Sequence, residues 1–360
     1  MKLVFTGDIA LHGLFPDKIQ IAPDILELFK KADMTIGNLE TPLTNSVKKS
    51  EMPVINLKAD KNSTVFLKYF NVLNIGNNHI FDYDIEGFLD TVKLLKQNNI
   101  RCFGAGLNIS EAQKPLKIEF DNNKKIAFIA GTRWDNASKR KHGTSGYKGH
   151  RNAVRHLKQK GYFVIYYPHW GYEYIQTPPP DVRRHAKKMI DYGVDLIIGT
   201  HPHVLQGYEL YKNKYIFYSL GNFIFDNSII EKLAPENAKT NCKKSAVLII
   251  DIENEYNYKC EIHPTTFSNS GIEYAAEDER RSILAEIDKY SEVFKKDYLQ
   301  YIKCYYKQVP EIIKQNNKIR EKFQNSKELK PFKSLQLYRN VIKQDILNRI
   351  YYLTQKNNRF

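Results

Sequence analysis

Short apolar runs in this chain end, one after another, in side chains that can hold a metal ion. Lys2–Gly7 leads into Asp8, Met34–Gly37 into Glu40, and Val72–Ile75 into Asn78 and His79; Phe163–Tyr167 leads into His169, and Val194–Ile198 into His201 and His203. Between the runs lie segments of helical spacing. Pro23 and Asp24 open one whose stripe is Ile25, Leu26, Leu28 and Phe29, residues 61–70 form another, and Phe88, Val92 and Leu95 mark a third. Residues 150–160 and 181–192 read as two more. From Tyr208 onward the pattern changes to strand-like runs joined by polar turns, among them Tyr215–Ser219, Ala246–Ile252 and Tyr258–Ile262. Strand–helix alternation followed by antiparallel strands predicts a layered α/β domain, a central sheet system covered by helices. Open α/β sheets bind ligands beyond the carboxyl ends of their strands, and the metal-type residues recur there.

The stretch Gly199–Gln206, G-T-H-P-H-V-L-Q, concentrates the argument. In extended backbone, His201 and His203 would point to the same side, and Pro202 biases His201 away from helix. By itself a His-x-His is as readily a pair of polar loop residues. Taken with the other strand ends, one Asp, one Glu, one Asn and three His exceed what a single ion needs and suit two adjacent divalent ions, Mn, Zn or Fe. His142, His150, His156, His185 and His263 lie away from the strand ends and read as surface or structural histidines.

Charge separates the front of the chain from its end. The formal net charge is +15, and residues 301–360 hold 14 basic against 4 acidic residues, a net of +10. The excess points to an anionic partner: a polymer, a phosphorylated small molecule or a membrane surface. No nucleic-acid-binding signature accompanies it, and nucleic acid is not expected as a partner. Ile283, Ile287, Tyr290, Phe294, Tyr298, Tyr301 and Tyr305 predict a long amphipathic helix broken at Pro310; Leu335, Tyr338, Ile342, Ile346 and Leu353 predict a second. These helices are expected to pack on their own domain with lysines in water, peripheral contact with an anionic membrane being the competing reading. The boundaries are residues 1–265 for the α/β domain and 266–360 for the basic helical extension. Cys102, Cys242, Cys260 and Cys304 show no metal or disulfide spacing and are expected as reduced thiols. No run approaches the ~18 apolar residues of a membrane span, and Asp8 interrupts the N-terminal apolar stretch before it could serve as a signal. A cytoplasmic location, at most peripheral at the inner face of the membrane, is expected.

The motifs G-D at Gly7–Asp8, G-N-L-E at Gly37–Glu40, G-N-N-H at Gly76–His79, H-W-G-Y-E-Y at His169–Tyr174, G-T-H-P-H-V-L-Q and S-L-G-N-F at Ser219–Phe223 resemble the CapA/PgsA capsule-synthesis family. That family looks like a branch of the calcineurin-like metallophosphoesterases. The resemblance spans about residues 1–265 and implies an αββα sandwich-like fold. It implies that Asp8 and His203 hold one ion and Asn78, His169 and His201 the other. Glu40 would stand where the wider superfamily has a bridging Asp, with His79 as the general acid. Position 10, where the superfamily's Asp-x-His pattern places a histidine, is Ala10, and His12 is off-register for the same strand end.

Arg133, at a strand's carboxyl end, opens a basic segment through Gly161 and is the candidate for binding an anionic substrate. Trp170 and Glu173, beside His169, are further candidate substrate contacts. Asp82 is expected to orient its neighbours, and Thr144–Gly146 reads as a mobile loop over the site. The resemblance implies metal-assisted hydrolysis or transfer at a phosphoester or acyl bond while making an anionic surface polymer such as capsule polysaccharide or poly-γ-glutamate, with a polymer synthase complex as a candidate partner. Two alternatives stand beside it: a non-catalytic accessory subunit that binds polymer or synthase, and a cytosolic nucleotide phosphoesterase.

Overall fold

A computed structural model describes residues 1–15, 17–50, 55–254, 257–268 and 271–309. Two sheets lie face to face. In the first, the strand order is Gln20–Ile21, Gly271–Tyr274, Tyr258–Ser268, Lys244–Ile252, Lys2–Ile9, Met34–Leu39, Val72–Asn74 and Arg101–Phe103, with Asn222–Ile224 also against Lys2–Ile9. In the second, it is Tyr208–Tyr211, Lys214–Phe217, Leu196–Ile198, Phe163–His169, Lys125–Thr132 and Leu116–Glu119.

Period-two alternation divides each central strand between two cores. Leu3 and Phe5 turn into the space between the sheets, where they meet Phe128, Ile165, Tyr167 and Ile198. Val4 turns outward, onto a layer built with Ile25 and Phe29 of helix Pro23–Lys31 and Phe88 and Leu95 of helix Asp84–Gln97. On the second sheet, Ile129, Val164 and Ile197 face out against Val154 and Leu157 of helix His150–Gln159 and Val182, Ala186 and Met189 of helix Pro180–Tyr192. Each fully buried Leu, Ile or Phe here contributes roughly 1.5–3 kcal/mol. The fold is therefore the layered α/β sandwich that the alternation predicts, with helices outside both sheets.

The central strands are parallel where they carry the site. Lys2–Ile9 runs parallel to Met34–Leu39, which runs parallel to Val72–Asn74. Phe163–His169 is parallel to both Lys125–Thr132 and Leu196–Ile198. Their carboxyl ends meet at one edge of the sandwich, where Asn38 of the first sheet reaches His169 of the second at 3.3 Å.

The end of the chain departs from its pattern. The first sheet continues past residue 265 to Tyr274, and helix Glu277–Ser291 packs Ile283 and Ile287 beside Leu205 and Ala246. The predicted single long helix is interrupted: a 3-10 turn, Glu292–Lys295, follows, then an extended Lys296, then a helix over 298–309. The break redirects the stripe. Phe294 and Tyr301 pack on the outer layer of the second sheet, and Tyr305 packs with Ile175 and Val309. One straight helix could not serve cores so placed. The expected break at Pro310 and the helix through Leu335, Tyr338, Ile342, Ile346 and Leu353 lie outside the described residues. Among the described residues, no helix is long and apolar enough to cross a membrane.

Candidate functional site

Local backbone features aim each side chain. The ladder between Lys2–Ile9 and Met34–Leu39 shifts register between Phe5 and Asp8, the kind of irregularity that re-aims a side chain at a strand end. Gly7 permits it, since a Cβ there would lie 2.1 Å from the Gly221 carbonyl oxygen. Asp8 then receives a hydrogen bond from the Asn38 amide at 2.8 Å and one from the His201 backbone N–H at 3.0 Å. His201 and His203 are not in the extended backbone that the sequence predicts; both have positive φ, +97° and +56°. Strand Leu196–Ile198 has already ended, and the loop curls over the site, which keeps both rings inward with centroids 5.7 Å apart. Non-glycine residues held at such φ values are costly and cluster at functional sites.

Asp8, Glu40, His169, His201 and His203 are all buried together. Glu40 sits between two imidazoles, its Oε1 3.7 Å from His169 Nε2 and its Oε2 3.9 Å from His203 Nε2. Two sets of donors have ligand atoms within 4.8 Å of one another: Asp8, Glu40 and His203, and Glu173, His201 and His203. Hydrogen bonds assign the histidine tautomers. Asn222 donates its amide to the carbonyls of His203 and Cys242, so its Oδ1 must accept from His203 Nδ1, at 2.8 Å. His203 Nε2 is left with its lone pair. Likewise the Thr200 hydroxyl donates to Pro168 O and accepts from His169 Nδ1 at 3.0 Å. His169 Nε2 then faces Asn78 Oδ1 at 2.7 Å and His201 Nδ1 at 3.1 Å.

The electrostatics would suit a cation. Burial pushes the Asp8 carboxyl up to about 7. Glu40 is raised well above its usual range by burial, then by Asp8, Glu173 and Asp82. His169 and His201 are held well below the usual histidine value by burial and by neighbouring imidazoles, and burial takes His203 down to about 4. The imidazoles are thus neutral lone-pair donors, and Glu40 Oε2 is buried without a hydrogen-bond partner. Buried polar atoms are rarely left so. Oxygen and imidazole donors, an orphaned carboxylate oxygen and outer amides that orient the rings fit a divalent ion such as Mn, Zn or Fe.

His79 lies at the rim, half-buried, with Nδ1 2.8 Å from Asp82 Oδ2. Burial works against its charged form, but Asp82, Glu173 and Asp135 outweigh it and hold the imidazole above its usual value. Asp82 is itself fixed by the Leu57 N–H at 2.7 Å.

Other expected contacts lie elsewhere. Trp170 does not line the site: it is fully buried in the outer core of the second sheet and donates to the Tyr218 carbonyl at 2.9 Å. It alternates with His169, so the residue after this candidate ligand faces away. Arg133 is engaged rather than free for an anion, ion-paired with Asp181 and lying over the Tyr147 ring. His12 Nδ1 faces the Lys58 backbone, and Ala10 is buried in the outer core. The expected mobile loop is pinned: Gly143–Thr144 pairs with Ala105–Gly106, and Ser145 bonds Gly104 and Ala130. Sequence reasoning missed Asn38, Thr200, Asn222 and Trp134. Asn38 lay visible inside G-N-L-E and Asn222 inside S-L-G-N-F; Trp134, whose ring stands 4.3 Å from His201 and 5.7 Å from His169, gave no signal beyond its place after Arg133.

The fold and the site define a layered α/β protein with a buried carboxylate–imidazole cluster at the carboxyl ends of its strands. The chain belongs to the family of bacterial capsule synthesis proteins PGA_cap, which matches it over residues 2–227. It is 34% identical over 247 residues to the PGA biosynthesis protein CapA of Bacillus subtilis (strain 168), covering 62% of each chain. It is 32% identical over 241 residues to the capsule biosynthesis protein CapA of Bacillus anthracis, covering 62% of this chain and 58% of that one. A probable polyglutamine synthesis accessory protein of Mycobacterium tuberculosis is 25% identical over 213 residues, 54% of this chain and 56% of that one. The chain spans about three-fifths of the length of the curated relatives it matches.

Proposed function

We propose that the protein is a metal-dependent hydrolase or transferase in the making of bacterial capsule, poly-γ-glutamate or a related surface polysaccharide, acting at a phosphoester or acyl bond of an anionic substrate. The observation that carries this reading is the buried convergence of Asp8, Glu40, His169, His201 and His203, with a Glu40 oxygen unpartnered. Asp8, Glu40 and His203 would hold one ion, and His169, His201 and Asn78 would turn donors toward another. Bound divalent ions would supply Lewis-acid neutralisation of a phosphoryl or acyl oxygen and a water made nucleophilic near neutral pH.

The chain's own residues do the rest. Thr200, Asn222 and Asn38 orient the donors. Trp134 covers the His169 and His201 rings and keeps bulk water from them. His79, its Nδ1 held by Asp82, carries a proton at Nε2 for the leaving oxygen; its raised pKa keeps that proton available near neutrality. With Asp82, Asp135 and Glu173 nearby, the site repels an anion unless cations are present. An anionic substrate and a cation requirement therefore go together. A polymer synthase and the inner membrane face, met through the basic C-terminal stretch, are the partners in this reading.

A second reading is an accessory subunit that retains the site for binding, which Ala10 favours because it offers no donor. Metal analysis, together with turnover of bis-p-nitrophenyl phosphate and of an acyl ester by Mn- and Zn-loaded protein, decides between them. The expected result is bound metal, with His79→Ala lowering kcat by about 10²–10⁴-fold at unchanged metal content. Metal-free wild type, or His79→Ala with undiminished turnover, overturns the enzymatic reading.

A further inference from the structure

Glu173 was expected to touch substrate, yet the structure puts its carboxylate within 4.8 Å of donor nitrogens on both His201 and His203. Two loops zipped together bring it there. The Trp170 N–H bonds the Thr200 carbonyl at 3.1 Å, and the Tyr174 N–H bonds the carbonyl of Pro202, the residue between the histidines, at 2.8 Å. The Gln206 amide then closes on the Ile175 carbonyl at 2.5 Å. Gly171 turns the first loop at φ +84°, and Tyr174 is held at +67°. The segment is thus bent, at the cost of a left-handed tyrosine, and brings Glu173 to the two imidazoles.

Asp8 and Glu40 lie with His203 in one donor set, and His169, which faces Asn78, lies 3.1 Å from His201. Neither of those carboxylates joins a donor set that holds both the His201 and His203 rings. Glu173 is the carboxylate that the described residues place there. No lysine or arginine is paired with it among the described residues' ion pairs, and burial raises its carboxyl above the usual range. His79 and the Tyr174 hydroxyl answer this half-buried carboxylate only in part, since burial still outweighs them, and a cation beside the two neutral imidazoles would complete the balance.

We propose that Glu173 is a metal ligand, adding a carboxylate oxygen to the ion toward which His169 and His201 turn their donors and leaving His203 to the ion of Asp8 and Glu40, a role that rests on the metal-dependent reading above. Hard carboxylate oxygen with two imidazole nitrogens suits Mn, Fe or Zn. This carboxylate comes from the loop after His169 rather than from a strand end. The two histidines and the loop that carries Glu173 therefore form one clamp.

The test is metal binding, read without turnover. Wild type, Glu173→Gln and Glu173→Asp are stripped by chelator, titrated with Mn²⁺ and Co²⁺, and followed by isothermal titration calorimetry, by the Co²⁺ visible spectrum and by Trp134 fluorescence. Glu173→Gln is expected to weaken metal binding at least tenfold and to change the Co²⁺ spectrum. Glu173→Asp, which keeps the charge, should recover part of the affinity. Circular dichroism and thermal unfolding of the stripped proteins report the fold. Should Glu173→Gln fail to fold, Glu173→Asp decides alone, by a shifted or unshifted Co²⁺ spectrum. Wild-type affinity and spectrum in the folded variants overturn the role of Glu173 and leave the metal site of the proposed function standing. Wild type that binds no metal overturns both.

Discussion

Among the described residues, two buried clusters of charge differ in how far their charges are answered. On the outer face of the second sheet, Arg183 forks onto Glu209 at 3.0 and 2.7 Å and donates to the Phe294 carbonyl at 2.9 Å. Lys187 and the Tyr218 hydroxyl complete the Glu209 carboxylate at 2.9 and 3.0 Å. Burial works to raise Glu209, but Arg183 and Lys187 outweigh it and hold it below its usual range. At the strand ends the order is reversed. Asp8 and Glu40 are pushed up, three imidazoles are pushed down, and one Glu40 oxygen has no partner. The first cluster is closed upon itself and anchors the chain end through Phe294 and Tyr301. The second leaves a buried carboxylate oxygen unanswered, which the proposed cation would meet. Perturbed groups of the second kind mark functional sites, while those of the first are structural.

The sharpest break of this contrast is Glu209→Ala. It leaves Arg183 buried and uncompensated and should cost about 3–5 kcal/mol of unfolding free energy, measured by urea denaturation, with metal content unchanged in the folded fraction. Next, His203→Ala removes the residue common to both donor sets. Metal affinity should fall beyond the roughly 10–100-fold typical of losing an orienting partner, by calorimetry, while the urea midpoint of stripped protein stays near wild type.

Asp82→Asn probes the rim. Asp82 helps hold the His79 pKa up, and His79 acts in its protonated form, so activity falls as pH rises through that pKa. Without the carboxylate the pKa drops, and the alkaline limb of the kcat profile should move to lower pH with about tenfold lower kcat at neutral pH. A limb that stays in place would remove His79 as the acid. Glu40→Gln should leave metal-stripped protein as stable as wild type or gain about 1 kcal/mol, because a buried carboxylate without a counter-charge is relieved. A large loss of stability would mean that the strand-end cluster is structural after all. The smallest effect belongs to Trp134→Phe. Metal affinity should stay within about 0.5 kcal/mol of wild type, while the fluorescence change on metal binding disappears, since Trp170 is buried in a separate core.

Much of the site was legible because strand ends are local. A short apolar run followed by Gly-Asp or Gly-Asn-Asn-His states both where a strand stops and what it presents there. Asp82 could be read as an orienting residue from its spacing to His79. Partners across the two sheets could not. Arg133 sits at a strand end as expected, but Asp181, far along the chain, takes its guanidinium. Trp170 adjoins a ligand in sequence and faces the opposite core. The stripe from Ile283 to Tyr305 has unbroken helical spacing, yet the chain bends at Lys296 because its apolar residues serve different layers.

The residues themselves determined the alternation of strands and helices, the layered class and the chemical type of the donors, since periodicity and punctuation act over a few neighbours. Only the tertiary structure decided how the donors are grouped. His203 is common to both donor sets, Glu40 lies between His169 and His203, and Glu173 comes back over the histidines because its loop bonds to Pro202. Those relations depend on how two sheets meet and on left-handed turns at His201, His203 and Tyr174. No spacing along the chain encodes them.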